Sequence, residues 1–493
     1  MIGRPACLGH GSYYLLAYLH YIAALQRKDD AVGLQTGHIQ YVINQPKQQI
    51  RVGPNNLEIA TLFFFRGSSG RQHVREAHNR IQWRTDFVAH IGKESTLQTA
   101  GFFGTVFCFA QGWAGTAPVR PAPSAEADYA LGAFGAALLA QVRQEGENTL
   151  VSPLSALLCL SMTANGAAGE TLEAFLEVLG GGVSLEELNA SCAALMEDYR
   201  GLEGTTRCNI ANGLWIGTGW TADDGFLRRC ADTYGAGLYQ ADLTAMETVK
   251  QVNAWVKEQT MGLIDGVLDQ PLDAQAVLLL VNALYLKNAW AAPFDPAKTT
   301  ALPFRSAAGT RQTEFLGNGV RQERYLQTER ESGVVLPYDD GRLGFLAVLP
   351  KEGTDLTEYL SGWDGGTVPA LLAAAEQTRL SLRLPKFEAE WGGMLNDALS
   401  TLGLGAAFDP DAADFSAMGT ADGPIYIGSV MQKTRIQVNE KGTEAAAVTA
   451  AVMEAMRMPA EEAAVLILDR PFVYGIVDLE RGVPLFLGTF EAP

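Results

Sequence analysis

Two stretches of the chain, Ala276–Leu286 and Leu343–Leu349, are nearly continuous apolar runs, closed by Lys287 and Pro350. An extended segment with apolar residues at odd and even positions alike has no face left for water, so both suit central strands of a sheet covered on its two sides. A third stretch is built differently. Leu380, Leu382 and Leu384 alternate with Arg379, Ser381 and Arg383, the period of a strand with one face in a core. Earlier in the chain the period becomes helical. Leu172, Phe175, Leu176 and Leu179 predict a helix over Glu170–Leu179 with Gly180 as its C-terminal stop, and Asp128–Val142 is a second helical candidate. Helices gathered in the first part and strands in the second imply an α+β domain of about 370 residues with extensive sheet.

This patterning begins only near Ser124. The 493 residues suffice for one large domain with an appendage or for two to three ordinary ones, and the 47% that are hydrophobic suffice for a large core. All six histidines (His10, His20, His38, His73, His78, His90) fall within the first 90 residues. The first 100 residues carry 11 Lys+Arg against 6 Asp+Glu, and the remainder 26 against 49. Residues 1–95 are therefore read as a separate, unassigned N-terminal extension. Residues 96–124 hold an apolar run, Ala100–Ala110, and the proline-rich linker Ala117–Pro123. The run resembles the apolar core of a secretory signal placed nearly a hundred residues late. One reading makes residues 1–95 the product of a start site assigned too far upstream, although no methionine stands between Met1 and Met162. The other makes them an irregular or partly ordered extension.

Composition excludes several functions. A net charge of -18 disfavours a nucleic-acid partner, because phosphate binding needs clustered cations. The longest apolar run of the first region, Tyr13–Leu25, falls short of the roughly 20 residues a helix needs to span a bilayer, so no membrane partner is expected. With no histidine after His90, the main body cannot supply the base of a Ser-His-Asp or Cys-His nucleophile, a kinase-type His-Arg-Asp loop, or the usual zinc ligand sets. Gly403-Leu404-Gly405 lacks the third glycine of a phosphate-cradling loop and is better explained by turns and helix ends. Six cysteines (Cys7, Cys108, Cys159, Cys192, Cys208, Cys230) show no Cys-x-x-Cys pair and read mostly as free, buried thiols. No metal or cofactor is expected.

The functional argument lies in 440–459. After Gly442 come thirteen residues, Thr443 to Ala455, with neither proline nor glycine, so every residue can donate to a sheet ladder. Thr443, Ala445, Ala447, Thr449, Ala451, Met453 and Ala455 form an uncharged set, and both charges, Glu444 and Glu454, fall on the opposite set. As a strand, the segment would bury the first set and leave the second in solvent. Alanine propensity makes a helix the rival reading for an isolated peptide, and composition alone does not choose.

The string Glu440-Lys441-Gly442-Thr443-Glu444-Ala445-Ala446-Ala447 resembles the hinge of the reactive-centre loop of the serpins, inhibitors that trap serine proteases. Other matches follow in the family's order: Asn148, Ser152-Pro153-Leu154-Ser155, Gly166–Thr171, Val281-Asn282 with Lys287, Trp290 and Phe294, then Leu336-Pro337-Tyr338, Leu384–Phe387, Ala413–Ser416, Arg470-Pro471-Phe472 and Pro484–Gly488. The resemblance spans 125–493, essentially a whole serpin domain. It implies three sheets, about nine helices and a loop exposed above a five-stranded central sheet. It also implies a monomer that performs no chemistry of its own. A protease attacks the loop, forms a covalent acyl-enzyme and is trapped when the cut loop inserts into the sheet. Counting as the family pattern does places the reactive bond between Met456 and Arg457, suiting an elastase-like or chymotrypsin-like protease. A register one residue later makes Arg457 the specificity residue and the target trypsin-like. The hinge and insertion residues would be Glu440, Gly442, Thr443, Glu444, Ala445, Ala446, Ala447 and Thr449. Ser152, Ser155, Asn282 and Gln432 match a polar cluster where the sheet opens. Gln432 replaces a histidine common in the family and cannot titrate. Trp290, Lys386 and Glu440 match the point where the loop enters. Two other readings are a non-inhibitory carrier or chaperone, which the small uncharged Thr443, Ala445 and Ala447 disfavour, and a catalytic role for the N-terminal histidines. The signal-like run and the family's habit favour secretion.

Overall fold

Ser124 caps the first helix, α1 (Ala125–Val142), its side chain accepting a hydrogen bond from the Ala127 amide at 3.1 Å. The computed structural model describes residues 124–217, 220–262, 264–272, 278–421, 423–443 and 463–493. Residues 1–95, the signal-like run and linker up to Pro123, the hinge residues Glu444–Thr449 and the reactive pair Met456 and Arg457 lie outside the described residues.

After β1 (Thr149–Val151) come three helices, α2 (Pro153–Ala164), α3 (Gly169–Gly180) and α4 (Leu185–Arg200). The predicted α3 forms with Phe175 and Leu179 buried, but its stop lies one residue later. Gly180 is still helical, and Gly181 takes the left-handed conformation (φ 63°), its amide donating to Glu177 O and that of Gly182 to Leu176 O. Helix α1 likewise starts earlier than expected, at its serine cap.

Among the described residues the strands assemble into three sheets. The largest has nine strands in the order β1-β17-β16-β9-β8-β7-β10-β15, with β6 pairing β7 off this path. Its members are β6 (Thr300–Ser306), β7 (Gly309–Gln327), β8 (Glu331–Pro337), β9 (Leu343–Pro350), β10 (Glu376–Pro385), β15 (Ala464–Ile467), β16 (Phe472–Asp478) and β17 (Pro484–Phe490). The long β7 joins two halves: β6 and β10 pair along most of its length, and β8 takes its last four residues, Arg324–Gln327. The alternation in β10 holds, with Leu380, Leu382 and Leu384 buried. Every residue of β9 is buried, as its apolar run requires. A two-stranded sheet pairs β3 (Trp220–Ala222) with β12 (Gly419–Ala421).

The central sheet contains β2 (Arg207–Gly217), β4 (Gly237–Ala241), β5 (Leu278–Ala289), β11 (Phe387–Met394), β13 (Ser429–Val438) and the two-residue β14 (Gly442–Thr443), in the order β11-β13-β14-β5-β2-β4. The apolar run in β5 has a face for each of two cores. Leu284 and Leu286 enter the main core, whereas Leu279 and Val281 meet Val249, Val252 and Val256 of helix α6 (Met246–Gln259) with Trp215 on the other side. The strand does not stop at Lys287. It runs on to Ala289 because Lys287 still pairs with Arg207 of β2. The crossover from β2 to its parallel neighbour β4, at the edge of this sheet, carries α5 (Asp224–Tyr234). Gly403 (φ 117°) kinks the short helical region 396–408, a bend between helices as expected. Cys159, Cys192, Cys208 and Cys230 are free thiols, the first, second and fourth buried, while Cys7 and Cys108 lie outside the described residues.

Two buried ionic clusters tie distant segments. Asp478 accepts from Arg342 Nε at 2.8 Å, Tyr199 Oη at 3.1 Å and the amides of Glu480 and Arg481. Asp198 joins Arg342 and Arg481, and Arg481 also reaches Asp128 of α1 at 2.7 Å. At the C-terminus Arg143 makes a two-pronged contact with Glu491 (2.7 and 2.8 Å), and Asn148 Oδ1 accepts from the Glu491 and Ala492 amides. Replacing Asp478 by Ala should lower stability by about 1–3 kcal/mol, because Tyr199 Oη and the Glu480 and Arg481 amides would lose their shared buried acceptor and Arg342 would keep only Asp198. The shift in urea-unfolding midpoint measures it, and a change under 1 kcal/mol would count against this account.

Candidate functional site

The strands β5 and β13 run parallel beside each other, yet they pair directly only at one end, through Leu279, Leu280 and Val281 with Ser429, Val430 and Met431. At the other end β14 lies between them, antiparallel to both: Thr443 pairs with Val438 on one side and with Asn288 on the other. Both ends share one offset. Met431 opposes Val281, and through Thr443 residue Val438 stands level with Asn288, the same 150 positions apart. Between these ends, 282–287 of β5 and 432–437 of β13 do not pair with each other among the described residues. The two strands are therefore parted over six residues, a slot with Gly442 and Thr443 seated between them at its mouth.

Alternation fixes the faces of that slot. Gln432, Thr434, Ile436 and Val438 of β13 are buried, as are Asn282, Leu284, Leu286 and Asn288 of β5, and Thr443 shares their side. The opposite row of β13 is wetter and holds Lys433 and Arg435, which pair with Glu390 and Glu388 of the neighbouring β11. A strand continuing from Thr443 thus meets an apolar and neutral-polar floor on one side and, on the other, the Lys433 and Arg435 row of β13 beside Ala283 and Tyr285 of β5, which are buried.

The polar cluster expected at the opening point exists and lies at the closed end. Ser152 caps α2, and its amide donates to Gln432 Oε1 at 3.0 Å while Gln432 Nε2 donates back to the Ser152 carbonyl at 2.9 Å. Ser152 Oγ donates to the Leu485 carbonyl at 2.8 Å. Ser155 Oγ hydrogen-bonds Asn282 Oδ1, and Asn282 Nδ2 donates to Asn212 Oδ1 at 2.8 Å. One network thus links α2, β17, β13, β5 and β2. Each member is buried, so an unmade bond there would cost about 1–3 kcal/mol. Sequence reasoning did not single out Asn212, whose neighbours Ala211 and Gly213 carry no motif. It also missed Thr434, whose hydroxyl donates to the Leu150 carbonyl at 2.7 Å.

The residues expected at the point of entry also meet. Lys386 Nζ lies 3.2 Å from Glu440 Oε1, which also accepts from Thr299 Oγ1 at 3.0 Å. Burial pushes the Glu440 carboxyl up, but its own backbone N–H, Thr299 and Lys386 outweigh that and hold it below the usual range. Trp290 Nε1 donates to Asn439 O at 2.8 Å, its amide donates to Lys441 O, and Phe294 N donates to Glu440 O. The turn between β13 and β14 is therefore clamped to 290–294. Gly442 is needed where it stands: its φ is 155°, and a Cβ would fall 2.1 Å from Asn288 O. Tyr338, part of the Leu336-Pro337-Tyr338 match, has a place that the motif alone did not disclose. It is buried beneath Thr443 with its ring stacked on Trp290.

Comparison with known proteins bears on what this arrangement does. The family model for serpins, described as serine protease inhibitors, matches residues 129–493. A rice protein, Serpin-ZXA of Oryza sativa subsp. japonica, is 32% identical over 368 residues, 71% of this chain and 91% of the relative. Intracellular coagulation inhibitor 2 of Tachypleus tridentatus is 26% identical, covering 73% of this chain and 89% of its own. Among solved structures, the thermophilic serpin tengpin in its native state is 33% identical with a TM-score of 0.72, covering 76% of this chain and 96% of tengpin.

With glutamine at position 432, the cluster of Ser152, Ser155, Asn212, Asn282 and Gln432 has no side chain that titrates near neutrality. The folded pKa of Glu440 is depressed, so its contribution is present above the ordinary carboxyl value and fades only as pH falls through the depressed one. Urea midpoints of the wild type should be flat from about pH 6 to 7, whereas Gln432→His should acquire a step there. A wild-type step traced to this cluster would contradict the reading.

Proposed function

The chain belongs to the serpin family, and on that premise we propose that it inhibits a serine protease as a suicide substrate. The observation that carries the proposal is the slot between β5 and β13, with Gly442 and Thr443 already seated in it. Extending the common register downward sets Ala445 between Leu286 and Ile436, Ala447 between Leu284 and Thr434, and Thr449 between Asn282 and Gln432. All three are small and uncharged, and their neighbours are buried. Residues Glu444, Ala446 and Val448 fall on the wetter side. The alternation of the loop therefore matches the two faces of the gap.

In this mechanism the protease serine attacks the carbonyl of Met456, the Met456–Arg457 bond breaks, and the acyl-enzyme forms with residues 457–493 as the leaving segment. The freed loop then zips down the slot. Six rungs fill without disturbing any strand pair among the described residues, and deeper insertion exchanges the Leu279–Val281 pairing with Ser429–Met431 for pairing with the loop. The network of Ser152, Ser155, Asn282 and Gln432 stands at this boundary, so its hydrogen bonds are the ones that must rearrange. Methionine at the cut suits an elastase-like or chymotrypsin-like target, with trypsin-like proteases if the cut follows Arg457. The apolar run Ala100–Ala110 supports secretion.

Mixing the protein with pancreatic elastase, chymotrypsin and trypsin separately should give a gel-stable covalent complex with at least one of them. The new N-terminus then reports the bond: Arg457 for a cut after Met456, Met458 for a cut after Arg457. Cleavage without a complex would replace inhibition by a carrier or chaperone role. The variant Ala447→Arg should raise the stoichiometry of inhibition at least about tenfold, because an inward charge would be buried unpaired between Leu284 and Thr434. Unchanged stoichiometry would refute insertion.

A further inference from the structure

We propose that the Tyr338 hydroxyl is the positioning group that keeps Thr443 seated in the central sheet, and that this seat sets how often insertion outruns deacylation; the second half rests on the inhibitory reading above. Tyr338 Oη and Thr443 Oγ1 are 2.6 Å apart, and both residues are buried. Burial pushes the phenol well above its ordinary pKa, so it stays protonated as a donor and acceptor.

The tyrosine cannot follow Thr443 if the threonine leaves. Its ring is stacked on Trp290 at 4.9 Å with the planes 7° apart. Its backbone is fixed by an antiparallel bridge to Trp290, with Ala291 N donating to Pro337 O and Asp339 N to Ala289 O. Trp290 is in turn held by Phe294 and Phe345 edge-on and by its bond to Asn439 O. Expelling Thr443 would therefore strand a fully buried hydroxyl on a rigid aromatic stack, whereas full insertion leaves it bonded. The second point follows from register. The offset is the same at both ends of the slot, so Thr443 stays opposite Asn288 and Val438 however much of the loop follows it. The bond thus opposes only the expelled state. It leaves insertion unimpeded and supplies a strand end already in register, which removes the nucleation step.

The test uses the full chain and the variants Tyr338→Phe, Thr443→Val, the double variant and Thr443→Ser. Backbone hydrogen exchange over 440–443, read by mass spectrometry, should quicken about five- to tenfold in each single hydroxyl deletion, corresponding to one lost buried hydrogen bond. The double variant should be no faster than either single one, and Thr443→Ser, which keeps the hydroxyl, should stay near wild type. With whichever of elastase, chymotrypsin or trypsin forms the complex, the stoichiometry of inhibition should rise two- to fivefold while the rate of loop cleavage is unchanged. Phenylalanine retains the stack on Trp290, so a folding defect in Tyr338→Phe is detectable as altered exchange elsewhere, and Thr443→Val then decides. Unaltered exchange over 440–443 in both single variants, or fully additive effects in the double, would overturn the seat. Faster exchange with unchanged stoichiometry would overturn its role in the race. Absence of any protease complex with the wild type would sink the inhibitory reading, and exchange alone would then judge the seat.

Discussion

The rest of this structure depends on a set of hydrogen bonds that two neighbouring strands do not make with each other. Over 282–287 and 432–437 the facing edges of β5 and β13 lack ladder partners in each other among the described residues, although the two strands share a register and pair directly at one end. Backbone amides and carbonyls in a protein interior are nearly always paired, so an edge of this kind inside a sheet is an acceptor for something. What fits must be extended and antiparallel to both strands. It must also be small and neutral toward the core and able to donate at every residue. The sequence following Thr443 is small and uncharged at alternate positions and free of proline as far as Ala455, so it meets the last two conditions.

Each end of the gap is guarded differently. The closed end is a network of neutral groups, serine hydroxyls and primary amides, that can exchange partners without moving a charge out of water. The open end has an aromatic stack, a glycine with no room for a side chain and an ion pair at the surface. Neutral hydrogen bonds of about 1 kcal/mol each can be swapped for equivalent ones during opening, whereas a buried ion pair there would resist parting by several kcal/mol. The deeply buried carboxylates Asp478 and Glu491 instead bind segments that do not need to separate, and the ion pairs that border the gap are the more exposed ones of Lys433, Arg435 and Lys386.

Much of the fold was legible in the sequence because burial writes a period. The alternation of Leu380, Leu382 and Leu384 and the unbroken run of β9 both reported how many faces of a strand meet the core. Boundaries were less legible. Lys287 looked like a stop, but its backbone pairing with Arg207 continues the strand, since a ladder needs no particular side chain at its wetter face. Gly180 looked like a helix end, but the left-handed turn belongs to Gly181. At the site, Ser152, Ser155, Asn282, Gln432, Lys386 and Glu440 came from a family resemblance, and the structure brings each group together. Asn212, Thr434 and the role of Tyr338 were not legible, because their importance lies in partners 70, 284 and 105 positions away in sequence.

The clasp at the C-terminus acquires a meaning once the loop is severed. A cut between Met456 and Arg457 turns one chain into two, and the shorter piece retains no covalent tie to the longer. Yet β16 and β17 sit inside the nine-stranded sheet, flanked by β9 and β1, and Arg143, Gly146 and Asn148 grip Glu491 and Ala492. The cleaved molecule is thus a heterodimer whose small subunit is woven into the large one, and unfolding becomes bimolecular on the way back. Once denatured, the two pieces would have to find each other in solution, so the spent protein, unlike the intact one, should refold in a concentration-dependent manner.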